Sequence, residues 1–137
     1  MPSPFRYHRR VEFAETDMEG IVHFAMFFRY MEEAEHALWR AAGLTIASPG
    51  GEIGWPRVSA VFDYKAPLRF QDEFEVTVEI ARVSRRTIDY AFEVAVAGRT
   101  IGRGSITTAS VRKAPGQPMK SIDLPAGIVS KLRAALA

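Results

Sequence analysis

Cysteine is missing from all 137 residues of the chain. Its absence excludes disulfides, thiolate metal sites and thiol nucleophiles, and is compatible with a reducing compartment, so the cytoplasm is the expected location. Histidine is scarce: the three present, His8, His23 and His36, are scattered without metal-ligand spacing, and no metal is expected. Long apolar runs are lacking too. None approaches the ~20 residues that a membrane span needs, and the start, Met1-Pro2-Ser3-Pro4-Phe5-Arg6, has no apolar signal core, so neither membrane nor export is expected. Nor does one sign of charge dominate, with 18 Lys and Arg against 16 Asp and Glu. Basic residues form no tract, which argues against nucleic acid as a partner, while scattered arginines and a pI near 9.1 still suit a small phosphorylated ligand. No serine occupies a nucleophile-elbow sequence and no Gly-rich phosphate loop precedes a helical pattern.

What is present reads as one domain over residues 1–137, with 47% hydrophobic and 25% charged residues in the balance of a globular chain. His8 to Ala14 alternates, with Val11 and Phe13 on one side, the period of a half-buried first strand. The acidic turn Glu15 to Gly20 ends it; Thr16 or Asp17 can cap the next element, and Gly20 is free to turn left-handed. From about His23 to Ala42, the residues Phe24, Phe27, Phe28, Met31, Ala34, Leu38 and Ala42 recur at three- and four-residue steps. Arg29, Glu32, Glu33, His36 and Arg40 lie opposite, which predicts a long amphipathic helix ended by Gly43. By helical geometry Glu35 points into the apolar stripe, which requires an interface, a partner or a site.

Ser48 to Pro56 reads as loop. Four further strands are expected at 57–64, 74–80, 88–96 and 100–111, joined by turns near Pro67 to Asp72, at Ser84-Arg85-Arg86 and at Ala97-Gly98-Arg99. A terminal helix is predicted over 124–137, started by Asp123 and Pro125. One sheet face is apolar and so is one helix face, so an α+β fold is expected in which an antiparallel five-stranded sheet wraps one long central helix.

Asp17 precedes that helix by a few residues, which sets its carboxylate near the unpaired N–H groups and partial positive charge of the helix start. Two readings of it stand at this level. It is a helix cap, or it is a carboxylate that attacks a polarised carbonyl or activates water, the geometry of acyl transfer. His23 is either a packing residue or a general acid or base. The phenylalanine stripe is more simply core than pocket.

The run Val11-Glu12-Phe13-Ala14-Glu15-Thr16-Asp17-Met18-Glu19-Gly20-Ile21-Val22-His23-Phe24, with Phe28-Arg29-Tyr30-Met31-Glu32-Glu33-Ala34 after it, closely resembles the hotdog-fold acyl-CoA thioesterases of the 4-hydroxybenzoyl-CoA thioesterase type. The likeness continues more loosely through Tyr64 to Asp72. It implies that Asp17, in the family's T-D-x-x-G-[IV]-V pattern, is the catalytic carboxylate, as nucleophile or general base, and that the Phe24 backbone N–H holds the thioester oxygen. It also implies an acyl-CoA substrate beside Gly20, Ile21 and Val22, with coenzyme A as part of the substrate and no separate cofactor. Homodimers with a continuous sheet, paired in some members into tetramers, are the implied assembly. The family's Tyr-His pair reads His23-Phe24 here, so the role of His23 stays open. Arg69, Arg85, Arg86 and Arg103, taken as lying near open strand ends, are the candidates for the coenzyme phosphates. A hotdog hydratase or dehydratase using Asp17 and His23, and a non-catalytic acyl-CoA-binding module, are the competing expectations.

Overall fold

The computed structural model describes residues 3–47 and 50–136. Its main sheet has the order β1-β4-β5-β6-β3, built from β1 (Phe5–Arg10), β3 (Arg57–Tyr64), β4 (Glu73–Val83), β5 (Thr87–Val96) and β6 (Arg99–Ala109), every neighbouring pair antiparallel. The helix α1 (Met26–Ala41) lies across it, and a short helix α2 (Ile128–Ala134) adds Leu132 to the core. β2 (Ile53–Gly54), β7 (Val111–Arg112) and β8 (Lys120–Ser121) form a separate small ribbon.

Alternation dictates the inner face. Phe74, Val76 and Val78 of β4 and Ile88, Tyr90, Phe92 and Val94 of β5 are all buried, as are Phe27, Tyr30, Met31, Ala34, Leu38 and Trp39 of α1. Burying each such side chain is worth roughly 1.5–3 kcal/mol, so this one interface supplies most of the driving force. On β6 glycine is required for space under the core side chains: a Cβ on Gly102 would lie 2.4 Å from the Phe62 ring of β3, and one on Gly104 2.7 Å from Met31 Sδ of α1. These glycines face the helix, so Arg103 between them faces away from it.

The α+β, five-stranded, helix-centred expectation is what the structure holds, with boundaries displaced for local reasons. The first strand is Phe5–Arg10, not 8–14, because at Phe13 the chain enters a single 3-10 turn, Phe13–Glu15, closed by reciprocal contacts between Glu12 and Glu15. Phe13 is consequently 76% exposed and not on an inner face. The helix starts at Met26 rather than His23, since the main chain of 21–23 is drawn into pairing with 15 and 68–69, and Phe24 is left outside the apolar stripe. The expected last strand, 100–111, splits at Ser110, with Val111 and Arg112 joining the ribbon. The terminal helix begins after Gly127, whose φ is 82°, while Asp123 serves Arg85 and Arg86 instead of capping. Of the expected 48–56 loop, Ser48 and Pro49 lie outside the described residues, as does Ala137, and Ile53–Gly54 is strand.

Glu35 is fully buried, as its helical position required. Arg57 at the start of β3 donates to both its carboxylate oxygens, at 2.5 and 3.0 Å. Burial pushes the Glu35 carboxyl up and the Arg57 guanidinium pulls it back. The pair thereby ties the middle of α1 to the edge strand β3, and Trp39 Nε1 donating to Tyr90 Oη at 3.0 Å continues the polar bonding between α1 and the sheet.

Candidate active site

Asp17 is held by a hairpin of its own. Thr16 and Val22 pair as an antiparallel bridge, the Asp17 N–H donates to Ile21 O at 2.8 Å, and the Gly20 N–H donates back to Asp17 O at 3.0 Å. The turn needs Gly20 at φ 78°, a backbone conformation costly for any residue with a Cβ. Inside it the Glu19 N–H donates to Asp17 Oδ1 at 2.9 Å. Asp17 therefore caps its own turn and not α1, whose N-cap is Ala25. The other oxygen, Oδ2, has no hydrogen-bond partner among the described residues.

Both flanks of the hairpin are anchored. The Val22 N–H donates to Leu68 O at 2.7 Å, Ile21 bridges to Arg69, and the His23 N–H donates to Glu15 O at 2.9 Å. The Glu15 carboxylate is itself gripped by Arg9 of β1 and by the Tyr30 hydroxyl of α1, which donates at 2.9 Å. Burial and that bond push the Tyr30 hydroxyl far above its ordinary range, so it remains a donor. Arg9 lies over the Tyr30 ring, 4.9 Å from its centre, and also pairs with Glu33 at 2.6 Å.

At the head of α1 the Met26 N–H donates to His23 O at 2.9 Å and the Ala25 N–H to His23 Nδ1 at 3.2 Å. The Phe24 N–H has no acceptor among the described residues. No acidic side chain sits in the first helical turn, so the positive end of the helix is uncompensated from within.

These parts meet at a cleft of about 540 Å3, a size suited to a small-molecule ligand. Asp17, Ile21 and Val22 form one side, Phe24 and Phe27 the helix side, and Tyr64 to Leu68 the remainder. The Tyr64 hydroxyl donates to Phe24 O at 2.9 Å. A carboxylate, an open N–H at a helix start and apolar walls in one cleft can bind a carbonyl compound, polarise its oxygen and act on its carbon.

The structure thus brings Asp17, Phe24, Ile21 and Val22 together, with Gly20 shaping the turn behind them. His23 stands outside the lining: its ring stacks on Phe24 at 4.7 Å and its Nδ1 accepts from Ala25, which places the proton of the neutral ring on Nε2. Arg69 contributes its main chain to the bridge with Ile21, and its side chain is not part of the lining. Arg85 and Arg86, at the far end of the sheet, both reach Asp123 at 3.2 Å. Arg103 is not near an open strand end: it lies within β6 on the outer face, 3.2 Å from Glu93.

Three contributors were not singled out by sequence. Tyr64 and Lys65 line the cleft, and both fell in the loosely matched 64–72 segment, the one signal that pointed to them. Glu15 is a clamp that only folding reveals, because its partners come from β1 and α1. A larger cleft of about 930 Å3, between Arg9 and Arg29, carries charges that are paired within the chain, Arg9 with Glu15 and Glu33 among them. Among the described residues no group of three or more His, Asp or Glu is placed to hold a metal, and no helix is long and apolar enough to cross a membrane.

A helix wrapped by an antiparallel sheet, with an acidic turn at the helix head, defines a hotdog-fold protein of the thioester hydrolase class. The chain belongs to the Thioesterase-like superfamily, whose profile matches residues 11–132. A protein of Aquifex aeolicus is 41% identical over 93 residues, spanning 66% of this chain and 72% of its own. A 1,4-dihydroxy-2-naphthoyl-CoA hydrolase of Synechococcus elongatus is 29% identical over 84 residues, 59% of this chain and 62% of its own. The solved structure of a gentisyl-coenzyme A thioesterase, BH1999, superposes with a TM-score of 0.81 at 27% identity, over 96% of this chain and 99% of that one.

Proposed function

We propose that the chain hydrolyses an acyl-coenzyme A thioester to the free acid and coenzyme A. The observation that carries this is the shared cleft of Asp17 and Phe24 at the uncompensated start of α1. The thioester oxygen accepts from the Phe24 N–H, which polarises the carbonyl and stabilises the negative charge that develops on it. Asp17 Oδ2 then attacks the carbonyl carbon, giving an anhydride that water opens, or takes a proton from the attacking water; either route expels the coenzyme A thiolate. The acyl group is proposed to be aromatic, a reading supported by the Phe24, Phe27 and Tyr64 rings around the cleft and by the aromatic acyl groups in the names of two relatives. The hydratase reading expected His23 as the second acid or base beside Asp17, and His23 is not in the lining.

Coenzyme A is proposed to lie at a boundary between two copies of the chain. β3 is an edge strand with Val58 60% and Val61 50% exposed, an apolar edge that a second copy would cover. Antiparallel pairing of two such strands about a two-fold axis sets the Arg57 end of one beside the Tyr64 end of the other. The end of the sheet that carries Arg85 and Arg86 then faces the partner's cleft, where Lys65 is a further cation for the phosphates. The test is thiol release from a panel of aromatic and aliphatic acyl-CoAs, with enoyl absorbance followed in parallel. Turnover is expected with an aromatic member; loss of enoyl absorbance without thiol release would replace hydrolysis with hydration.

A further inference from the structure

We infer that Tyr64 is the positioning and acyl-limiting residue of this site: its hydroxyl fixes the peptide that follows the Phe24 amide, and its ring is the wall against which the acyl group packs. The inference rests on the thioesterase reading and deepens it.

The main chain at Tyr64 is immobilised before its side chain is considered. Tyr64 is the last residue of β3 and pairs with Gly102, and both following amides, Lys65 N–H and Ala66 N–H, donate to Ile101 O at 2.8 and 3.0 Å. The ring is then fixed by its neighbours, edge-on to Phe27 at 5.5 Å and to Phe62 at 4.9 Å. Phe27 and Phe62 are buried, so an aromatic cluster of the core holds a ring that is itself half exposed. A rigid ring carries its hydroxyl to one place, 2.9 Å from Phe24 O.

That carbonyl has no other partner among the described residues. The helix does not use it, since the Phe28 N–H donates to Ala25 O instead. Tyr64 is therefore the contact that joins the edge strand to the loop bearing the Phe24 N–H. Without it, the two peptides on either side of Phe24 can rotate, and the amide loses its aim at the thioester oxygen. Desolvation raises the hydroxyl above its ordinary pKa, so the donor persists across the working pH range. Because the proton is committed to Phe24 O, Tyr64 acts on the reaction through the main chain and is not a proton donor to substrate.

The exposed part of the ring has a second use. It faces the same cleft as Phe24, 64% exposed, with Asp17 on the adjacent side. A flat acyl group between the two rings would be held with its carbonyl toward the Phe24 amide.

Two variants separate the two roles. Tyr64→Phe keeps the ring and removes the hydroxyl, so kcat for benzoyl-CoA should fall about tenfold, the scale of one hydrogen bond, with KM little changed. Tyr64→Ala removes the wall, so KM for benzoyl-CoA should rise by about tenfold or more relative to that for acetyl-CoA. A purely structural role would lower both substrates equally. Binding of benzoyl-CoA to Asp17→Asn protein, measured by calorimetry with and without Tyr64→Ala, reads the ring's part independently of turnover, and weaker binding is expected. If the wild-type protein turns over benzoyl-CoA and both variants keep its kcat and KM, the inference is overturned while the thioesterase reading stands. If the wild type turns over no acyl-CoA and the Asp17→Asn protein binds none, both fall together.

Discussion

Asp17 is the residue whose chemistry is most isolated from its structural duties. Its backbone makes the hairpin and one oxygen caps the Glu19 amide, which leaves the charge itself with no structural partner among the described residues. Asp17→Asn keeps an oxygen for that cap, so the fold should persist and melting should change little. Thiol release should drop ~10²-fold or more, the loss expected when a nucleophile or general base is removed. His23→Ala should cost less, because its ring serves the Ala25 amide and stands outside the cleft lining. Steady-state rates for the two variants give the ordering, and a folded Asp17→Asn protein with near-normal turnover would remove Asp17 from the mechanism. Glu35 would not inherit the role, since both its oxygens are held by Arg57 in the core.

At the scale of elements, the contact that sets α1 against the edge strand is the Glu35 and Arg57 pair. Arg57→Ala leaves a carboxylate with no exposure and no cation bonded to it, and should destabilise the fold by about 3 kcal/mol, read as a lower urea midpoint at unchanged slope. Glu35→Leu with Arg57→Leu should recover most of that loss, because an apolar pair needs no compensation. The inward position of Glu35 was legible from helical period alone; its partner was not, because Arg57 lies on a strand 22 residues away and sequence carries no register between them. The same division runs through the site. Strands β4 and β5 announce themselves by clean alternation, and the T-D-x-x-G-I-V pattern locates the turn. Glu15 and Tyr64 escape notice because each acts through a contact between distant elements, Glu15 through Arg9 and Tyr30, Tyr64 through the Phe24 carbonyl. The two-residue strands of the ribbon are too short to show any period.

For the whole molecule, the exposed β3 edge is the feature that asks for a second chain. Val61→Lys places a charge on that edge and should shift the proposed dimer, or a larger assembly built from it, to monomer in light scattering. Thiol release should fall with it if coenzyme A lies across the boundary; a wild-type protein that is monomeric at micromolar concentration would remove both the assembly and the shared site. The sheet order has a further consequence for how the chain is made. β1 leaves the ribosome well before its partner in the sheet, β4, with Tyr7 opposite Val76. The apolar face of α1 emerges in the interval, before β3 to β6, which supply most of its cover. During synthesis the chain therefore carries an unpaired strand and a bare helix stripe together, and closing so long a loop is slow. The interval in which this protein is most open to misassociation precedes the appearance of Val76, and agents that hold nascent apolar helices would have their effect there.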